Sequence, residues 1–298
     1  MKPLILSIDL DEFYHVRWVT GSAGSIFPSV DEFFKTVYKQ ERPRGDLEEQ
    51  TRILIKLFKE YGAKCTFFIL GEVALNYPNL IKQIAEAGHE IACHGMAHKD
   101  LTLYSRDEFI DDVIKARGIL ESFTCREING FRIPNLIIED WVKKELAEIG
   151  FKYDSSICPS RPLKGKFGLY SGYPNTPYVT DENSFKPGNG NFWEFPLPVF
   201  PLLKLPGATG NVTRAFGPLW TKITHLNASR SQGVSHYYFH PWEIGEIPEG
   251  IKIDTFYKKL FTRRTGKWML NYIRKLLKKY RCCSCMHYLK KIKGVKEI

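Results

Sequence analysis

The stretch LILSIDLDE, residues 4–12, decides the fold class, because an apolar run of strand length leads directly into acidic residues. Such a run is typical of a strand that is buried on both faces of a parallel sheet. KCTFFIL at residues 64–70 and HEIACH at residues 89–94 repeat the pattern, and segments of helical periodicity separate the three runs. Strands that alternate with helices at this spacing predict an α/β fold with a parallel sheet, open or closed into a barrel.

The alternation continues to residue 240 and includes recognisable helix boundaries. Pro78 begins a predicted helix that Gly88 ends, and Ser105 with Glu108 forms a capping box at the start of another. Further strands are predicted at residues 128–132, 151–156, 191–197 and 234–240, and further helices at 46–61, 138–149 and 219–231. Residues 158–190 are rich in Pro, Gly and Ser and lack periodicity, so we expect a long loop or insertion there.

The composition is that of an ordinary globular chain of 298 residues, with 43% hydrophobic and 26% charged residues. It excludes collagen and coiled-coil classes, and no apolar run approaches the roughly 20 residues of a membrane span. The first residues, MKPLILSIDLDEF, reach acidic side chains too soon for a signal peptide, and the seven cysteines show no disulfide framework. We therefore expect a cytoplasmic protein with reduced thiols.

The net charge of +10 is concentrated at the C-terminal end of the chain. Residues 251–298 hold 15 basic and 2 acidic residues, whereas the preceding 250 residues hold 28 and 31. Met269, Ile273, Leu276 and Tyr280 recur at helical spacing among lysines and arginines, which predicts a basic amphipathic helix. Two interpretations stay open: the apolar face packs on the body of the protein, or the helix contacts an anionic membrane at its inner face. Nucleic-acid binding is not expected, since no recognition motif accompanies the charge.

Residues capable of chemistry lie at the predicted carboxyl ends of the strands. They are Asp9 and Asp11, His94 and His98, Arg132, Asp154, and His240. The carboxyl ends of parallel strands share one edge of a sheet, where the sites of α/β proteins form. We therefore expect these side chains to converge.

His94 and His98 are four residues apart in the segment HGMAH, and Gly95 favours a tight turn there over a helix. Asp11 lies two residues after Asp9, on the same side of an extended chain. Two histidines and one carboxylate would suit a catalytic Zn²⁺ with an open position, and also Fe²⁺. Taken singly, each motif is better explained as surface histidines or as an acidic turn.

Arg132, Asp154 and His240 have two interpretations each. At the edge of a site, Arg132 is suited to hold a carboxylate and Asp154 to orient an imidazole. His240 is suited to act there as a general acid. Taken alone, Arg132 is equally well explained as part of a surface ion pair. Asp154 is better explained as a turn residue, and His240 as a hydrogen-bonded histidine of the core.

Five motifs in order resemble those of the polysaccharide deacetylases of the NodB-homology group, carbohydrate esterase family 4. They are SIDLD (7–11), HGMAH (94–98), GFRIP (130–134), YDSS (153–156) and YYFHPWE (237–243). The first and last look closest to the subgroup found with exopolysaccharide and surface-glycan loci. The resemblance implies a distorted (β/α)7 barrel over residues 1–250, and we expect residues 251–298 to form a basic helical extension packed on or beside it.

The resemblance further implies one divalent metal bound by Asp11, His94 and His98. Zn²⁺ is the expected metal, with Fe²⁺, Co²⁺ or Ni²⁺ as alternatives. Glu12 is a second candidate ligand, because relatives in the closest subgroup often carry Glu then Asp at positions 11 and 12. Gly95 replaces the usual Ser or Thr, which is expected to loosen the orientation of the histidines.

The remaining roles are also implied by the resemblance. Asp9 would be the general base held by Arg132, and His240 would be the general acid oriented by Asp154. Contacts with substrate are expected from Pro134, Asn135 and Trp242, although Asn135 stands where many members have an aromatic residue.

The function implied is removal of an N-acetyl or other N-acyl group from an amino sugar in a polysaccharide, oligosaccharide or lipid-linked glycan. Two alternatives remain. The same site could hydrolyse another linear or cyclic C–N amide bond, or the barrel could be a catalytically silent glycan-binding module. The presence of both Asp9 and His240 argues against the silent module, because binding alone needs neither a base nor an acid.

Overall fold

The computed structural model describes residues 1–20, 22–163 and 167–294, which form one curled, largely parallel sheet with helices around it. The strands are β1 (Lys2–Asp9), β2 (Thr66–Ile69), β3 (Glu90–Cys93), β4 (Gly130–Phe131), β5 (Tyr153–Asp154), β6 (Tyr178–Val179), β7 (Trp193–Glu194), β8 (Val199–Phe200), β9 (Leu205–Pro206), β10 (Ser235–Phe239) and β11 (Tyr280–Cys283). The α-helices are α1 (Val30–Phe33), α2 (Asp46–Glu60), α3 (Gly71–Asn76), α4 (Pro78–Glu86), α5 (Arg106–Thr124), α6 (Asp140–Ile149), α7 (Gly210–Phe216), α8 (Pro218–Gln232), α9 (Phe256–Thr262), α10 (Lys267–Lys279) and α11 (Cys285–Ile292). The α/β fold class is confirmed.

The sheet is a half-barrel built from parallel neighbours. Its strand order is β10-β1-β2-β3-β4-β5-β7, and β6 pairs antiparallel with β7 at the far end. Over the described ranges no pairing joins β6 to β10, so the sheet curls without closing. β8 and β9 form a separate antiparallel hairpin.

β1 is the central strand and pairs with three others. Leu4–Ile8 align with β10, Ser7–Asp9 with β2, and Lys2–Ile5 with β11, all in parallel. Leu6 belongs to the main core, while Ile5 belongs to a second apolar cluster. Because alternate side chains of a strand face opposite sides of the sheet, the unbroken apolar run of β1 is explained by burial on both faces.

The C-terminal segment packs against this sheet. The apolar side chains of α10 are buried in the main core: Met269, Ile273, Leu276 and Leu277. The periodicity assigned Tyr280 to this helix, which was wrong, because α10 ends at Lys279 and the chain continues as β11 beside β1. The apolar face of α10 therefore contacts protein, and membrane contact by the cationic face stays a prediction. The domain boundary at residue 250 also stays a prediction. Residues 295–298 of the C-terminal extension lie outside the described residues.

The region 158–190, expected to be a long loop, is mainly irregular and includes β6; its residues 164–166 lie outside the described part. The cysteines form no disulfide within the ranges that the structure describes. No described helix combines the length and the apolarity needed to cross a bilayer.

Candidate active site

Asp9 lies at the centre of the candidate site, at the carboxyl end of β1. Arg132, which follows β4, donates from Nη1 to Asp9 Oδ1 at 2.5 Å. The other oxygen, Oδ2, lies 3.9 Å from His94 Nε2 and 4.0 Å from His240 Nε2. His94 follows β3 and His240 follows β10, so the strand order brings together residues that are up to 231 positions apart in the sequence.

Asp11, His94 and His98 offer three ligand atoms within 4.8 Å of one another. His94 Nδ1 donates to the Arg132 carbonyl at 2.7 Å, which leaves Nε2 as the free ligand atom. His94 Nε2, His98 Nδ1 and Asp11 Oδ1 are buried without a hydrogen-bond partner among the described residues. Buried polar atoms are normally paired, so these unpaired atoms fit a bound divalent cation, and Zn²⁺ prefers this set of nitrogen and oxygen ligands.

The electrostatics of the three residues also suit a cation. Burial by itself would raise the pKa of Asp11, but His98, His94 and His15 outweigh it and lower the pKa below its ordinary value. Burial lowers the pKa of His94, which keeps the imidazole neutral. Metal ligands must be deprotonated, so both shifts favour the metal-binding forms.

A tight turn at Gly95 brings His94 and His98 together. Gly95 has a φ of +83°, the left-handed region that glycine adopts without strain. Asp112 of α5 fixes the turn by accepting the Met96 backbone N–H at 2.7 Å. A side chain at position 95 would place its Cβ 3.2 Å from Asp112 Oδ2. The turn is therefore held by the Asp112 carboxylate of α5, a contact that the sequence pattern did not predict.

Arg132 is fully buried and held on several sides. Its Nε donates to the Ser155 carbonyl at 2.8 Å and its Nη2 to Ser155 Oγ at 2.7 Å. The guanidinium lies 4.1 Å from the centroid of the Phe68 ring, within cation–π range. A cation fixed this firmly keeps the Asp9 carboxylate in one orientation.

Glu243, not Asp154, orients His240. Glu243 Oε1 accepts from His240 Nδ1 at 2.9 Å, and Glu243 Oε2 accepts from Arg214 Nε at 2.7 Å. Burial opposes the charged imidazole, but Glu243 outweighs it and raises the pKa of His240 above its ordinary value. Burial likewise opposes the charged Glu243, but Arg214 and His240 lower the pKa of its carboxyl.

The prediction that Asp154 orients His240 was wrong. Asp154 lies in β5, two strands beyond β3, and its oxygens accept the backbone N–H and the hydroxyl of Ser156, both at 2.7 Å. Burial raises the pKa of Asp154 to about 6, beside the equally buried Glu194. Asp154 thus supports the chain that carries Ser155, the partner of Arg132.

Glu12 does not join the metal-binding atoms. Its Oε1 accepts from Tyr77 at 2.8 Å and from Tyr14 at 3.2 Å. Its backbone N–H donates to His15 Nδ1, and His15 Nε2 in turn donates to Glu72 Oε1, both at 3.0 Å. The two tyrosine hydroxyls thus occupy Oε1 of Glu12, and Asp11 is the acidic member of the described group.

A cleft of about 150 Å³ opens over Asp9, Asp11 and His240. Asn135 and Trp242 line it, while their contact with substrate stays a prediction, and the Trp242 ring stacks on His240 at a centroid distance of 5.7 Å. The other described lining residues are Phe13, His15, Val16, Arg17, Trp18, His98, Leu136, Asn211, Tyr238, Tyr257, Phe261 and Thr262. Pro134 was predicted here but lies elsewhere, because its ring lines a separate small cavity beside Gly95 and Asp112.

Comparison with known proteins agrees with this architecture. Residues 42–153 match the family model described as polysaccharide deacetylase, and residues 155–290 match a model described as a domain of unknown function (DUF3473). Residues 42–153 are therefore similar to the polysaccharide deacetylase family, which is the family that the motifs resemble. The exopolysaccharide subgroup stays a prediction.

The relatives match only part of their own length. A peptidoglycan-N-acetylglucosamine deacetylase of Bacillus cereus is 44% identical over 75 residues, which is 25% of this chain and 27% of that protein. A peptidoglycan deacetylase of Helicobacter pylori is 29% identical over 104 residues, 35% of this chain and 36% of its own. A solved structure described as a candidate polysaccharide deacetylase from Mycobacterium smegmatis covers 98% of this chain and 90% of its own, with a TM-score of 0.62 and 19% identity, and shows the shared fold.

Proposed function

We propose that the protein removes N-acetyl groups from an amino-sugar glycan, with a divalent metal at Asp11, His94 and His98. The observation that carries the proposal is Asp9 Oδ2, which lies about 4 Å from both His94 Nε2 and His240 Nε2 while Arg132 occupies Oδ1. One carboxylate oxygen thus faces both a metal ligand and a proton donor. This pairing suits hydrolysis of an amide, which needs both a base and an acid.

A metal bound by these three residues would polarise the acetamide carbonyl and lower the pKa of a water molecule. Asp9 accepts the proton of the attacking water at Oδ2, since Oδ1 is held by Arg132. His240 then donates a proton from Nε2 to the departing amine, which leaves poorly as an anion. Glu243 stabilises the protonated imidazole through Nδ1, and stacking on Trp242 fixes the ring plane.

The lining of the cleft supports an amino-sugar substrate. Aromatic rings from Phe13, Trp18 and Trp242 provide apolar walls, while amide groups from Asn135 and Asn211 provide hydrogen-bonding atoms. Aromatic walls combined with polar groups that fix the orientation of a ligand are common in small-molecule sites. Asn135 is oriented by donating from Nδ2 to Asp100 Oδ1 at 2.8 Å.

Acetate release from N-acetylated chito-oligosaccharides tests the proposal. We expect turnover by the metal-loaded protein, its loss with a chelator, and its return when Zn²⁺ is added. Asp107→Asn, which changes an acidic residue in the first turn of α5 away from the cleft, is the matched control for Asp9→Asn. Release of acetate only from O-acetyl esters, or hydrolysis only of formamides or cyclic amides, would overturn N-deacetylation. Glycan binding with no hydrolysis of any of these substrates would favour a silent module.

A further inference from the structure

A groove between α8 and α10, outside the half-barrel, encloses about 410 Å³. Pro218, Lys222 and His225 line it from one face of α8. From α10 and the start of β11 it is lined by Trp268, Asn271, Tyr272, Lys275, Leu276, Lys279 and Tyr280. All of these residues fall in the segment that matches a domain of unknown function, and none of them lines the candidate active site.

His225 gives the groove a buried polar group without a partner. The side chain is 2% exposed, and its Nδ1 is 2.8 Å from Ser235 Oγ. Its Nε2 has no hydrogen-bond partner within the described ranges. Burial and Lys279 lower the pKa of His225 to about 3, so the ring is neutral and Nε2 can carry a proton to donate. An oxygen-bearing ligand in the groove would satisfy this atom.

The charge of the groove is uniformly positive. Lys222, Lys275 and Lys279 are exposed, and none of them pairs with a carboxylate in the part of the chain that the structure describes. No acidic side chain is among the described lining residues. Lysines that have no carboxylate partner and that lie beside apolar walls indicate a ligand with both an anionic and an apolar part.

An exposed apolar tip adjoins the groove at Pro218. It consists of Leu202 (84% exposed), Leu203 (42%), Phe216 (51%) and Leu219 (66%). Trp220 links the two segments that carry these side chains, because it stacks on Phe200 at 3.8 Å and on Phe216 at 5.0 Å between centroids. The β8–β9 turn and the α7–α8 corner are thereby fixed together. Large apolar side chains that are this exposed and adjacent mark an interaction surface.

We propose that the tip and the groove dock the protein on an anionic phospholipid surface. The tip enters the interface between membrane and water. Lys222, Lys275 and Lys279 contact lipid phosphates, and one of these phosphates accepts a hydrogen bond from His225 Nε2. A symmetric dimer through this face would set lysines against lysines, and a soluble phosphate would leave the tip uncovered. A lipid headgroup with its acyl chains matches both features.

Docking in this way would place the cleft close to the membrane. Asn211, at the start of the short helix α7, lines the cleft, and Phe216 at the other end of α7 belongs to the tip. The active site would therefore face glycan that is attached to lipid or lies close to the bilayer. This last step rests on the proposed function, whereas the docking itself does not.

Sedimentation with vesicles of phosphatidylcholine, with and without phosphatidylglycerol, tests the docking. We expect binding only to the anionic vesicles. The triple change Lys222→Gln, Lys275→Gln and Lys279→Gln should weaken it about a hundredfold, since each lysine near an anionic surface contributes roughly a factor of five. The matched control is Lys56→Gln, Lys59→Gln and Lys82→Gln, which removes the same charge from α2 and α4 and should leave binding within about threefold.

A separate change, Leu202→Ser with Leu219→Ser, should weaken binding at every salt concentration, because it removes apolar contact. The proposal is overturned if the protein ignores anionic vesicles at low salt, if the control triple weakens binding as much as the groove triple, or if glycerol phosphate displaces the protein completely. Dimerisation that the tip variant abolishes would also overturn it. Acetate release from soluble chito-oligosaccharides, measured on the same variants, should stay unchanged, so a failure of docking and a failure of the deacetylase assignment are told apart.

Discussion

Replacement of Glu243 by glutamine removes the charge that faces His240 and keeps the shape of the side chain. The bond from His240 Nδ1 to Glu243 Oε1 is 2.9 Å long, and Glu243 is fully buried. A hydrogen bond to a charged group contributes about 1.5–3 kcal/mol, and about 1.4 kcal/mol corresponds to a factor of ten in rate. If the bond acts on the protonated imidazole, we expect kcat/KM for glycan deacetylation to fall roughly 10- to 100-fold in mildly alkaline buffer.

The pH profile of kcat/KM gives the sharper test. Glu243 raises the pKa of His240, so the general acid stays protonated to higher pH than a free imidazole would. The alkaline limb of the profile should therefore move to lower pH in E243Q. D154N should leave the limb in place, because Asp154 bonds to Ser156 and not to His240.

A purely structural effect of E243Q can be recognised separately. The variant leaves Arg214 buried with an amide in place of its ionic partner, and loss of one member of a buried ion pair commonly costs about 3–5 kcal/mol. Urea unfolding measures that cost, and partial unfolding would lower activity without moving the limb. A limb that moves in D154N but not in E243Q would refute the assignment of Glu243 as the orienting residue.

Three further outcomes follow from the site and the sheet. H98A should lose the metal, measured by elemental analysis, and metal content equal to wild type would contradict its role as a ligand. D9N should keep the metal but lose most turnover in the acetate assay, and full activity would show that another group is the base. G130A should lower the free energy of unfolding by about 1–3 kcal/mol, measured in urea, because a Cβ at Gly130 would lie 2.0 Å from Tyr153 Cζ. Tyr153 cannot easily give way, since it is fully buried and donates to Glu90 Oε1 at 2.6 Å; unchanged stability would show that it does.

The convergence of Asp9, His94, Arg132 and His240 could be predicted because parallel strands fix it. Asp9, His94 and His240 end or follow strands that are mostly apolar, Arg132 follows the short strand β4, and the carboxyl ends of parallel strands share one edge. Glu243 also had a signal in the sequence. It lies three residues after His240, behind Pro241, a spacing that suits a capping turn.

The other contacts that build the site and the sheet could not be predicted from the nearby sequence. Arg214 reaches Glu243 from α7, and nothing in the periodicity of either segment indicates the other. Asp112 fixes the Gly95 turn from the middle of α5, where an acidic residue would ordinarily be solvated. β11 escaped prediction because Tyr280–Cys283 is four residues long and continues a helical pattern, so only pairing with a distant strand makes it extended.

The place of β11 beside β1 has a consequence for how the protein matures. β1 leaves the ribosome before the other described strands, and two of its neighbours, β10 and β11, are made more than 225 residues later. Contacts of such long sequence separation are slow to form, and they leave early strand edges open to wrong pairing. Asp9 can therefore meet His240 only after 231 further residues have been made. The approach of His240 to Asp9 and the addition of β11 to the sheet both depend on segments that are made long after β1.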